Sequence, residues 1–268
     1  GTFLGGGVAM FAASRIPWGM MCVFVAVFVI ITGALVPLIL QKSAEETKSG
    51  PKTPRSFGQM LEDFRQMFKS PGIYAALALG LLAYPAHGLT EPIFFAWWKE
   101  VGLSKDELAF LFSVAPWCQM GGAILGGVLL AKSSRRRAME TAIFFVCAGY
   151  LLLPLSSLWA SAIPVIVLSL VTGVVDVVYV VVLYTVMMDV SDRRFPATSF
   201  ALLMAATNIS TAWTNLVGGF MGEHIATMWF FLIAAMAQLV VLIPLRFVKL
   251  KVQPSLKVAG YDRRAGNV

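Results

Sequence analysis

Residues 162–188 read AIPVIVLSLVTGVVDVVYVVVLYTVMM, an apolar run interrupted by one charged residue, Asp176, close to its midpoint. A run of this length crosses a hydrocarbon core of about 30 Å as an α-helix. An acid at the bilayer centre costs about 2.5–3.5 kcal/mol on insertion scales, so it is expected to face a cavity or a partner. Thr172 and Tyr179 lie one helical turn away on either side and extend its polar face. The stretch predicts a membrane-spanning helix with one functional side.

The rest of the chain reads the same way. Of the 268 residues 58% are hydrophobic and 13% charged, and the mean hydropathy is +0.79, which excludes an ordinary soluble domain. Charges and turn residues divide the chain into a partial helix over 1–13 and spans near 18–40, 72–98, 107–131, 138–158, 162–188, 197–221 and 226–247. The expected fold class is all-α, a polytopic transmembrane helix bundle. The opening residues GTFLGGGVAMFAA carry no methionine, basic segment or cleavage site, so they read as the inside of a longer protein. Cys22, Cys118 and Cys147 sit singly in separate apolar stretches and read as packing residues, with no metal or disulfide framework.

Basic residues test this division, because they accumulate on the cytoplasmic side of membrane proteins. One side collects Lys42, Lys48, Lys52, Arg55, Arg65 and Lys69, then Lys132, Arg135, Arg136 and Arg137, then Arg193 and Arg194, and finally Arg246, Lys249, Lys251, Lys257, Arg263 and Arg264. The other side holds only Arg15, Lys99 and Lys105. The net charge of +7 is thereby accounted for by orientation and by attraction to anionic lipid, with no nucleic-acid partner. The segment 41–71 is a cytoplasmic linker, in which Phe57, Met60, Leu61, Phe64, Met67 and Phe68 form one stripe of an amphipathic surface helix. It separates two upstream helices, 1–40, from a six-helix unit, 72–247, and a basic tail, 248–268.

Polar residues are unevenly shared among those six spans. The first carries His87, Thr90 and Glu91, the second Gln119, the fourth Asp176 and Tyr179, and the fifth Thr207, Asn208, Thr211, Thr214 and Asn215. The third and sixth are apolar apart from Thr141, Ser156 and Gln238 and are expected to face lipid. Two triplets of helices with polar first and second members are the pattern of secondary transporters, whose sites gather near the membrane midplane. Gln119, Asp176 and Asn208 fall at that depth. In the first span, YPAHGLTEPIFFAWW (84–98), Pro85, Gly88 and Pro92 predict an unwound segment whose freed carbonyls need water or a ligand. His87 and Glu91, four apart, share a face and can pair. Each polar residue also has a structural reading, as a hydrogen-bonding or helix-pairing group. Gly122 and Gly126, and Gly218 and Gly222, are spaced for close helix contact.

GVLLAKSSRRR (127–137) resembles the cytoplasmic loop motif of the major facilitator superfamily at Gly127, Lys132, Arg136 and Arg137, although Ala131 replaces its acid and Ser134 its second glycine. RFPATSFALLMAATNISTAWTNLVGGFMGE (194–223), with Ala197, Thr198, Ala201, Leu202 and Leu203, is similar to the branch of muropeptide permeases and acetyl-coenzyme A transporters. The resemblance implies the C-terminal half of that fold plus the last two helices of the N-terminal half. It also implies a multi-pass protein of the bacterial inner membrane, working by alternating access on a small-molecule substrate and coupled to protons, with membrane lipid as its surround and no cofactor. In the family the loop motif latches a cytoplasmic gate; here the arginines read equally as orientation signals. An exporter, an organic-anion or folate-type carrier, and a non-transporting scaffold or sensor are the alternatives. An enzyme is not expected, since HExxH and GxSxG are absent and the histidines are only His87 and His224.

Overall fold

The computed structural model describes residues 71–250 except 160, 192–195 and 249, together with positions 20, 23, 26, 27, 30, 31, 58, 62, 65, 66 and 68. Most of the upstream segment 1–40, nearly all of the linker, Arg193, Arg194 and the tail beyond Leu250 therefore lie outside the described residues. Of the linker's apolar stripe Phe68 is described, with its ring centroid 6.2 Å from that of Tyr74.

The described chain is helical, with no strand. Its elements are α1 (Pro71–Leu81), α2 (Pro85–Glu100), α3 (Lys105–Lys132), α4 (Arg135–Leu152), α5 (Ala162–Val190), α6 (Pro196–Gly222), α7 (Thr227–Gln238) and α8 (Leu242–Phe247). Short 3-10 turns, Leu153–Leu158 and Leu239–Val241, continue α4 and join α7 to α8. Among the described residues five stretches are long and apolar enough to cross a membrane: Gly72–Glu100, Lys105–Lys132, Arg135–Leu158, Ala162–Val190 and Thr227–Phe247. Helix α6 matches them in length, at 27 residues, but its threonines and asparagines leave it less apolar.

Helix ends follow local chemistry. Ser104 and Glu107 form a reciprocal capping box that starts α3, and Ser134 and Ser161 accept backbone N–H groups at the starts of α4 and α5. Gly102, at φ 87, takes the left-handed turn between α2 and α3 that side chains disfavour.

Small residues set the helix pairing. A Cβ added at Gly122 would lie 2.6 Å from the Val174 carbonyl oxygen, and one at Gly126 3.2 Å from that of Val178, so α3 lies directly on α5. Gly218 faces the Leu89 carbonyl and Gly222 the Ile93 side chain, which presses α6 onto α2. Both glycine pairs thus act as the spacing predicts.

The third and sixth spans differ from expectation. Helix α4 buries Ala138, Met139, Ala142, Ile143, Val146, Cys147 and Tyr150 while exposing Phe144 and Phe145. Helix α7 buries Phe230, Phe231, Ala234, Ala235 and Gln238. Each is apolar because one face is core and the other outward, so these spans contribute to the core as well as to the outer surface. The outward apolar surface lies most plainly on α3, through Phe110, Trp117, Met120, Ile124 and Leu125.

Candidate functional site

The first span is broken, but not where its prolines suggest. The break falls at Leu82–Tyr84, and α2 then runs unbroken through Gly88 and Pro92. Pro85 occupies the first turn of α2, where a missing N–H costs nothing.

Backbone groups freed at the break are taken up by side chains from three other helices. Trp213 Nε1 donates to the Leu81 carbonyl at 2.9 Å, and the Tyr179 hydroxyl donates to that of Ala83. The Tyr84 N–H donates to Ser210 Oγ at 3.1 Å and the Ala86 N–H to Gln238 Oε1 at 3.2 Å. The expectation of water or ligand at these groups is met instead by protein, in line with the need to satisfy every polar group away from water. Tyr179, a predicted site residue, is 2% exposed and serves this clamp.

One turn further on, the first and fourth spans meet. His87 Nδ1 lies 3.5 Å from Asp176 Oδ2, and His87 Nε2 lies 4.0 Å from Glu91 Oε2, so the imidazole stands between two carboxylates. The Asp176 side chain is 19% exposed and that of Glu91 52%, which makes Asp176 the sheltered end and Glu91 the open end of the row. Asn215 Nδ2, from α6, donates to Glu91 Oε2 at 3.0 Å, while its Oδ1 is buried without a hydrogen-bond partner. Tyr150, which sequence reasoning missed, donates its hydroxyl to Asp176 Oδ2 at 2.8 Å and lies 3.5 Å from His87 Nδ1. The signal was available: a phenol deep in an apolar span has to find a partner for its O–H.

A row of alternating acid, base and acid groups on two helices has the chemistry to pass a proton. Residues 79–265 match the family described as Major Facilitator Superfamily, a match over more than half of the chain. The chain belongs to the major facilitator superfamily. A search of curated proteins gave no match.

As a superfamily member the protein is a multi-pass membrane transporter, and its remaining predicted residues can be placed on that frame. Gln119 lies beside α5, its Nε2 3.5 Å from where a Cβ of Gly173 would stand. Asn208 is on the exposed side of α6, apart from the His87 row. In the loop motif, Gly127 has open space around it, Lys132 and Arg137 are exposed, and Arg136 pairs within α4 with Glu140 at 3.1 Å. The interhelical contact is made by Arg135, whose Nε donates to Asp189 Oδ2 at 2.9 Å at the end of α5. An acid from another helix thus stands near the basic cluster whose motif carries Ala131 in place of its own.

A cavity of about 790 Å³ opens at the opposite end of the bundle, against Trp97, Glu100, Glu107, Trp159, Ser161 and Met228. No predicted site residue lines it. Its carboxylates are engaged locally, Glu107 in the α3 capping box and Glu100 with Thr227 Oγ1 at 3.1 Å.

Proposed function

We propose that the protein is a secondary active transporter of the bacterial inner membrane that imports a small organic solute, muropeptide-like in class, by alternating access coupled to protons. In this reading residues 72–247 are the C-terminal six-helix half and residues 1–40 the last two helices of the N-terminal half. Residues 41–71 are the cytoplasmic linker between them, and the basic end of the bundle faces the cytoplasm with the tail, 248–268. Asp176 is the coupling acid, and His87 and Glu91 form its path to the open side.

The observation that carries this reading is the His87 imidazole, set between Asp176 and Glu91 on two different helices. Neutral imidazole accepts a proton at one nitrogen and releases one from the other, so it can hand a proton between two carboxylates that do not touch. Among the described ion pairs Asp176 meets His87 and no lysine or arginine. Gln119, Asn208 and Asn215 supply hydrogen-bonding groups for the solute, and Asn215, with an unpartnered Oδ1 beside Glu91, is the one tied to the proton path. In the loop motif that Gly127 opens, the basic cluster Arg135, Arg136 and Arg137 acts chiefly as an orientation signal, as Lys132 does.

The test compares gradient-driven uptake of a radiolabelled muropeptide with its counterflow in proteoliposomes of the full-length protein. Asp176→Asn keeps the hydrogen-bonding shape without a releasable proton, so accumulation is abolished while counterflow persists. Glu91→Gln slows accumulation by less. Full accumulation by Asp176→Asn would remove Asp176 from the mechanism. Extrusion of the solute instead of uptake would favour the exporter reading.

A further inference from the structure

We propose that Tyr150 is the positioning residue that reports the protonation of Asp176 to His87, and so to α2. The inference rests on the proton-coupled reading given above and adds to it a residue from a helix whose sequence carries no site signature.

The geometry is a triangle of three polar atoms from three helices. Tyr150 Oη, on α4, lies 2.8 Å from Asp176 Oδ2 on α5 and 3.5 Å from His87 Nδ1 on α2, while Oδ2 and Nδ1 are themselves 3.5 Å apart. The Tyr150 side chain is fully buried and its ring packs beside Phe94, so the phenol oxygen is held in place. Its hydrogen, however, turns about the C–O bond to suit its neighbours. The other titratable groups facing this point are Tyr84 at the break, Glu91 on α2 and Tyr179 on α5.

With Asp176 ionised, the Tyr150 O–H donates to Oδ2, as observed. A proton arriving from the Glu91 side binds His87 Nε2, and the imidazolium gives up its Nδ1 proton to Asp176 Oδ2. One proton has then been gained by the acid, and the imidazole is left neutral with a bare lone pair on Nδ1. The Asp176 O–H now donates to Tyr150 Oη, and the Tyr150 hydrogen turns away from Oδ2 toward that lone pair. No other bond is made or broken. The tie that joined α4 only to α5 extends to α2, and closing 3.5 Å to an ordinary O–H···N distance draws α2 inward. Because of the break at Leu82–Tyr84, no continuous helix joins α2 to α1.

The test uses Tyr150→Phe, which keeps the ring and deletes only the O–H, with Phe94→Leu as a packing control. Infrared difference spectra between acid and alkaline pH, recorded on the full-length protein in liposomes, need no substrate. They are expected to contain a carboxylic C=O band that is missing in Asp176→Asn. In Tyr150→Phe that band persists but moves to higher frequency, whereas Phe94→Leu leaves it in place. Gradient-driven accumulation of the radiolabelled muropeptide by Tyr150→Phe falls about tenfold, the scale of one hydrogen bond to a charged group. The ratio of accumulation to counterflow falls with it, which a loss of folded protein alone does not produce. A band unmoved in Tyr150→Phe, with accumulation intact, overturns the positioning role and leaves the coupling role of Asp176 standing. A wild-type protein with no Asp176 band at any pH overturns proton coupling at this residue, and the Tyr150 switch with it.

Discussion

Two consecutive turns of the first span are treated in opposite ways. Around the break at Leu82–Tyr84 four freed backbone groups, from Leu81 to Ala86, are met by Trp213, Tyr179, Ser210 and Gln238 at hydrogen-bonding distance. From His87 to Glu91 the backbone is regular helix, but the side chains stand 3.5–4.0 Å from their charged partners and stay about half exposed. A proline-marked break is thus a finished piece of structure, and the regular turn beside it is the unfinished one. In the proposed mechanism the second stretch exchanges protons, and groups that do so cannot be fully satisfied in any one state, whereas groups that only hold a shape can be. Changes in the first stretch should act on stability, and changes in the second on coupling.

The largest effect is expected where both stretches depend on one close approach. Gly218→Ala places a methyl group against the Leu89 carbonyl and has to push α2 off α6, so folded protein should fall to background on a size-exclusion trace. Gly219→Ala, with open space around it, is the control and should express normally. Equal yields of the two would mean that α2 and α6 do not pack as described.

His87→Ala comes next. It should leave the melting temperature within a few degrees of wild type but cut gradient-driven accumulation at least tenfold, because the two carboxylates lose their intermediary. Loss of stability without loss of coupling would place His87 with the clamp. Gln238→Leu should do the reverse, costing about 1–3 kcal/mol by leaving the buried Ala86 N–H without its acceptor, while the ratio of accumulation to counterflow holds. Denaturation in detergent, read by tryptophan fluorescence, measures the first quantity and proteoliposome flux the second. The smallest effects belong to the basic end. Arg135→Ala should lose about 1 kcal/mol with its partly buried link to Asp189, and Arg136→Ala only about 0.3–0.5 kcal/mol, since its pair with Glu140 is exposed and within one helix. The reverse order would return the structural role to Arg136 and the loop motif.

Much of this was legible in advance, for reasons that differ by residue. Asp176, His87 and Glu91 stood out because a charge in an apolar span is costly, and the glycine pairs because their spacing repeats on one helix face. The position of the break was misread because Pro85 is equally at home in a kink and at the first turn of a helix, and only the surrounding partners decide which. Tyr150 was missed because a phenol counts as apolar until its hydroxyl is located, and Gln238 because a lone amide carries no pattern. The apolar character of α4 and α7 was legible, but apolarity does not distinguish a lipid-facing surface from a core one. Which acid meets which base across helices, as Arg135 meets Asp189, depends on lateral order that periodicity does not encode.

The two ties between α4 and α5 have a mechanical consequence. Arg135–Asp189 and Tyr150–Asp176 lie about 20 Å apart along an antiparallel pair, at 1.5 Å per residue. Two fixed points along one seam forbid both sliding and swivelling, so α4 and α5 behave as a single beam whose register is locked. Whatever displacement accompanies substrate passage then falls between this pair and the α2–α6 pair, which Gly218 and Gly222 press together at two successive turns.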